Sequence, residues 1–198
     1  MADRELADAT AELREALDRG LREGFSDPDD VLESAVEYLS DDHDADELRA
    51  IAERLLVELV AAHRREQASW PAVTDCDRLD AAFAELDAAG VTARQNFSCC
   101  GNCGCHEIGD EMAEATGSGV TVRGYTFYHM QDTENAADGG GLYLNYGAAE
   151  PGDAAGLAVG AEVAATLARH GLSTEWDGSL RTRIHVSLDW KRRPPAEG

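Results

Sequence analysis

Four of the five cysteines fall within seven residues, Cys99, Cys100, Cys103 and Cys105, and His106 follows directly. Thiolates and imidazole at this density are the donors of a zinc site. Cys100 and Cys103 have the C-x-x-C spacing that lets one tight turn aim two sulfurs at a tetrahedral ion, and glycines at 101 and 104 relieve the backbone between them. Cys105 or His106 could add a third ligand. A fourth must come from elsewhere in the chain: His129 is the first candidate, with Cys76, His170 and His185 behind it. Strong zinc signatures carry two such knuckles and this chain carries one. Cys99 and Cys100 are adjacent, and adjacent side chains of extended backbone point apart, so the pair is not expected to share one ion.

The same residues support other chemistries. A C-x-x-C pair near a helix start is the local arrangement of disulfide exchange and redox sensing, with Cys100 attacking and Cys103 resolving; strongly acidic surroundings act against it by raising a thiol pKa. A cysteine nucleophile with His129 as base and Asp132 orienting the imidazole, or Glu134 nearby, would be a catalytic constellation, provided the groups are hydrogen-bonded to each other. Free cysteine is also among the most buried residue types, so a structural or protein-interaction domain with inert thiols is the alternative to all of these.

The elements that must position these groups follow from periodicity and capping. Residues 1–70 read as helical. Leu6, Leu13, Leu17 and Leu21 form one apolar stripe. Ser26 and Asp27 before Pro28 give an N-cap that opens a second helix through Val31, Leu32, Ala35, Val36 and Leu39. Asp44 with Glu47 starts a third through Leu48, Ile51, Leu55, Leu59 and Ala62, which ends before Trp70-Pro71. Thr74 and Asp77 then cap a helix with Leu79, Ala82, Phe83 and Leu86 on one face, stopped at Gly90. A strand is predicted over 91–97, a short helix over about 105–115, a strand over 120–130 and another over 142–146. A helix through Leu157 and Leu167 and a final hairpin around Asp177-Gly178 complete the chain. The fold class expected is α+β: an N-terminal helical region, 1–70, then a mixed-sheet, sandwich-like α/β domain, 71–191, and a frayed tail, 192–198.

Strand 91–97, helix and strand 120–130 have the length of a crossover unit, which makes the two strands parallel. Both then end on one edge of the sheet. That edge would gather the cysteine loop, the group His129, Gln131, Asp132 and Thr133, and, if the next strand returns antiparallel, Gly139–Gly141. Along the 120–130 strand, Tyr125, Phe127 and His129 share one face, so His129 could equally be a buried structural histidine.

The segment Gln95-Asn96-Phe97-Ser98-Cys99-Cys100 with Cys103-Gly104, then His129-Met130-Gln131-Asp132-Thr133-Glu134, then Gly140-Gly141-Leu142-Tyr143-Leu144, resembles a bacterial family built on a domain of unknown function. The resemblance covers roughly residues 71–190. It implies that the cysteine loop and the His129–Glu134 segment form one signature, and it implies no reaction. Cys105 and His106 are less typical of the family than Cys99, Cys100 and Cys103.

Composition bounds the partners. Thirty-nine acidic residues against 17 basic ones give a net charge of −22, and Lys191 is the sole lysine. Such a field repels phosphate backbones and argues against nucleic acid, while leaving room for a protein partner. The triple glycine is no Walker loop, since no Gly-Lys-Ser/Thr exists. Arg181, Arg183, Lys191, Arg192 and Arg193 are the one basic concentration, read as a solvated strand face and tail. No secretory signal or membrane-spanning run is visible, so the expected location is the cytoplasm, with no membrane association, where thiols stay reduced and clustered cysteines read as metal ligands or reactive groups.

Overall fold

The computed structural model describes residues 2–194. The chain folds as two compact units, one formed by the first 72 residues together with the chain from Lys191 onward, the other by Val73–Trp190.

The first unit is a bundle of α1 (Ala2–Glu23), α2 (Pro28–Leu39) and α3 (Ala45–Gln67). Its helix starts are those of the sequence. The Asp27 carboxylate accepts the N–H groups of Asp29 and Asp30, and Asp44 accepts that of Glu47. Leu13, Leu17, Val31, Val36, Leu48 and Ala52 pack into one apolar core. The predicted stripes shift slightly: Leu6 is exposed and Ala9 is buried in its stead, while Ala62 lies at the surface and Leu56 inside. The expectation of a frayed tail is corrected in its first residues. Arg192 is buried with its guanidinium 4.4 Å from the ring centroid of Phe25, and Arg193 donates to the Pro71 carbonyl at 2.8 Å. Residues 195–198 of that tail lie outside the described residues.

The second unit holds α4 (Asp75–Ala88), β1 (Val91–Arg94), α5 (Gly101–Gly117), β2 (Gly124–Phe127) and α6 (Met130–Ala137), then β3 (Leu142–Ala148), α7 (Asp153–Arg169), β4 (Ser173–Glu175) and β5 (Ile184–Ser187). The five strands form one mixed sheet in the order β1-β2-β3-β5-β4. β1 and β2 are parallel, joined through α5, and β2 and β3 are antiparallel. Side-chain alternation along β2 sorts the layers. Tyr128 meets Phe83 of α4 edge-on and Gly124 lies against Val159 of α7, so α4 and α7 cover one face. Phe127 points the other way, onto Gly104 of α5. Both faces of β2 are therefore core, and Phe127 and Tyr128 are fully buried.

Two predicted elements differ in extent. The strand expected over 120–130 is paired only over Gly124–Phe127, because His129 and Asp132 close a capping box and Met130 begins α6. The strand expected over 91–97 ends at Arg94, where the chain turns through left-handed backbone at Asn96 (φ 49°) and Ser98 (φ 64°). Among the described residues no helix is long and apolar enough to cross a membrane.

Candidate metal centre

The crossover places the cysteines as topology requires. β1 and β2 run parallel, so the loop after β1 and the residues after β2 emerge on one edge, and the start of β3 returns there antiparallel. Several hydrogen bonds fasten the two segments together, among them the Tyr128 hydroxyl donating to Oε1 of Gln95 at 2.8 Å. Phe97 N–H donates to the Tyr128 carbonyl (2.8 Å), Met130 N–H donates to the Ser98 carbonyl (3.1 Å), and the Thr133 hydroxyl donates to Oδ1 of Asn96 (2.8 Å). The composite edge inferred from the sequence is thus present.

Within it Cys99, Cys100 and Cys103 bring their sulfurs to within 4.8 Å of one another. All three are free thiols; Cys99 is exposed and the other two are half-buried. This corrects the expectation that Cys99 and Cys100 must diverge. That expectation assumed a continuous strand, and the chain instead bends through residues 98–100, with Ser98 at positive φ. α5 also starts four residues earlier than predicted, with Cys100 as its N-cap in extended backbone (φ −156°, ψ 170°) and Cys103 in its first turn. An N-cap side chain leans back over the first turn, which carries the Cys100 sulfur toward Cys103.

The helix start shapes the thiols. Cys100 is held below the ordinary thiol range, first by the N–H of Cys103 and then by the Cys103 thiol, although its sulfur closes no cap hydrogen bond of ordinary geometry. Cys103 is pushed up to about 11, first by its hydrogen bond to Cys99 and then by that to Cys100. Three neighbouring thiols, one of them of lowered pKa, are a soft donor set able to exchange their protons for a cation.

The remaining predicted ligands do not join this group. Cys105 and His106 are exposed on α5, past the first turn. His129 lies next to the cluster, its Nε2 3.5 Å from where a Cβ on Gly101 would stand, but it serves α6 instead. Its Nδ1 accepts the N–H of Asp132 at 3.3 Å, and its Nε2 lies 3.0 Å from Oδ2 of Asp132 and 3.3 Å from Nη1 of Arg183, so both ring nitrogens are engaged away from the sulfurs. Burial first, and then the charge of Arg183, lower the His129 pKa against the opposing pull of Asp132. Cys76 is sealed in the core, His170 binds Glu85, and His185 leans on Tyr143 with Nε2 3.2 Å from the Gly140 carbonyl.

The catalytic candidates are similarly engaged. Asp132 is 3% exposed. It accepts the His129 N–H and takes Nη1 of Arg183 at 3.0 and 3.1 Å on its two oxygens. Arg183 continues to the Tyr143 carbonyl and stacks over the Tyr143 ring at 5.0 Å. Glu134 is exposed on α6. Arg183, read from the sequence as a solvated cation, is in fact the partner of a buried carboxylate. The only local hint was Asp132 itself, since an acid in an apolar β-rich segment needs a cation when it is buried.

These features define a helical unit and a three-layer α/β unit whose crossover loop carries a three-cysteine cluster. The chain belongs to the family of a domain of unknown function (DUF6891), whose model matches residues 6–194. The match takes in the N-terminal helices, beyond the 71–190 span that the sequence motifs suggested. No curated protein and no solved structure matches the chain.

Proposed function

We propose that this protein binds zinc through Cys99, Cys100 and Cys103. The observation that carries the reading is the 4.8 Å limit on the three sulfur separations. Thiolates bound tetrahedrally at about 2.3 Å from zinc stand roughly 3.7 Å apart, so rotations of the three side chains by about 1 Å at the sulfur close the site. Three sulfur ligands leave a fourth position for water or an external ligand, the pattern of zinc sites that exchange or react in preference to purely structural ones. Asp132 and His129 are tied to the α6 cap and to Arg183, so the geometry favours metal binding over a cysteine–histidine nucleophile.

In this reading the protein works in a reducing compartment, the cytoplasm, where thiolates stay available, and its charge of −22 keeps it off nucleic acid and suits a protein partner. The test is zinc affinity by competition with a chromophoric chelator. Serine at 99, 100 or 103 should each weaken binding by at least about 100-fold, since a loss at the metal itself should exceed the 10–100-fold typical of outer-shell changes. Cys105→Ser, His106→Ala and His129→Asn should leave it within about threefold, well below that outer-shell range. Equal losses from Cys105→Ser or His129→Asn would move the site.

A further inference from the structure

We propose that hydroperoxides switch this metal site off by joining Cys100 to Cys103 in a disulfide; the inference rests on the zinc reading and names the regulation of the same three sulfurs. The pairing follows from backbone geometry. Disulfides span Cα separations of about 4.4–6.8 Å, and adjacent residues across a trans peptide are held about 3.8 Å apart, so Cys99 and Cys100 cannot bridge without distortion. Cys100, as N-cap, and Cys103, three residues on in the first turn of α5, have no such restriction, and their sulfurs already lie within 4.8 Å. Neither is buried in the core, and the edge they occupy is open to solvent at Cys99 and Asn102, both exposed.

The chemistry balances with the peroxide as sole oxidant. The Cys100 thiolate attacks one peroxide oxygen; an S–O bond forms, the O–O bond breaks and hydroxide, or alkoxide from an organic peroxide, departs. The Cys103 thiolate then attacks the sulfur of the sulfenic acid; an S–S bond forms, the S–O bond breaks and a second hydroxide leaves. Each sulfur loses one electron, the peroxide gains two, and solvent protons convert the leaving groups to water or alcohol. Zinc keeps Cys99 alone and dissociates. A dithiol reductant reverses the bond and restores the site.

The experiment uses the full chain with Cys105→Ser, which removes the exposed bystander thiol. The protein is first loaded with zinc and its metal content measured, then treated with one equivalent of hydrogen peroxide. The expected result is release of about one zinc per peroxide consumed, loss of two hydrogens by mass, a Cys100–Cys103 cross-link in the peptide map, and recovery of zinc binding after dithiothreitol. Zinc retained after the peroxide is consumed, a cross-link to Cys99, or sulfinic acid in place of a disulfide overturns the proposal. If the first step finds no zinc uptake, the metal reading fails by itself. The peptide map of the metal-free chain then decides the disulfide separately: a Cys100–Cys103 bond sustains it and any other product ends it.

Discussion

Gly104 and Phe127 are in contact so close that no larger residue fits between them: a Cβ on Gly104 would stand 2.5 Å from Cε2 of the Phe127 ring. That contact sets how near α5 lies to β2, and with it the height of the first turn that carries Cys100 and Cys103. Phe127 is fully buried between the Phe97 and Tyr125 rings, with centroids at 5.6 and 6.1 Å, and cannot swing aside. Gly104→Ala should therefore cost about 1–3 kcal/mol in urea unfolding, as overpacked cores do. Gly101→Ala, whose Cβ would meet His129 at an ordinary 3.5 Å, should change stability little. Equal costs for the two would remove the close approach as the constraint on α5.

The Asp132–Arg183 pair is asymmetric. The Asp132 side chain is 5% exposed and that of Arg183 38%. Removing the arginine strands a charge in the interior, whereas removing the carboxylate charge leaves an arginine that water can reach. Arg183→Met is expected to destabilise the fold by about 3 kcal/mol, the low end for breaking a buried pair, and Asp132→Asn by distinctly less, measured by denaturant titration. The reverse order would mean that the α6 cap, and not the ion pair, is what Asp132 chiefly supplies.

His129 ties this network to pH. Its pKa is depressed by burial and by Arg183, with Asp132 opposing, so the folded state favours the neutral ring. Its contribution to stability is complete above the ordinary histidine value of about 6.5 and is lost as pH falls from there through the lower folded value, because the unfolded chain takes up the proton first. The ring resonances of His129 should titrate below pH 6.5 or so. His129→Asn, which keeps an N-cap acceptor, should flatten that part of the stability profile. His63 shifts in the same direction through burial, so the residue-specific titration is the decisive readout. A midpoint above the ordinary value would show that Asp132 dominates the site.

Much of the frame was legible from local rules. The capping residues Asp27, Asp44 and Thr74 mark their helices in the sequence, and the parallel crossover follows from element lengths, which is why the shared edge could be anticipated. What was not legible depends on backbone that departs from regular structure or on partners far apart in the chain. Asn96 is a residue type that tolerates left-handed backbone, but nothing in Phe97-Ser98 announces a second such turn or the bend that follows it, and Cys99 joins the cluster within that bent segment. The residue type of His129 suggests a ligand; its use as an N-cap depends on α6, which the β-rich flanking residues conceal. Arg183 lies 51 residues from Asp132, and no pattern in its own segment points to that carboxylate.

The central claim is the metal, and the most direct measurement is elemental analysis of untagged protein purified without chelator, with native thiol titration of the same sample before and after metal removal. The account expects close to one zinc per chain and, with metal bound, ready reaction only at exposed Cys105; stripping the metal should unmask Cys99, Cys100 and Cys103 while buried Cys76 stays silent until unfolding. Metal-free protein that takes up no added zinc, and whose three clustered thiols react at once, would contradict it.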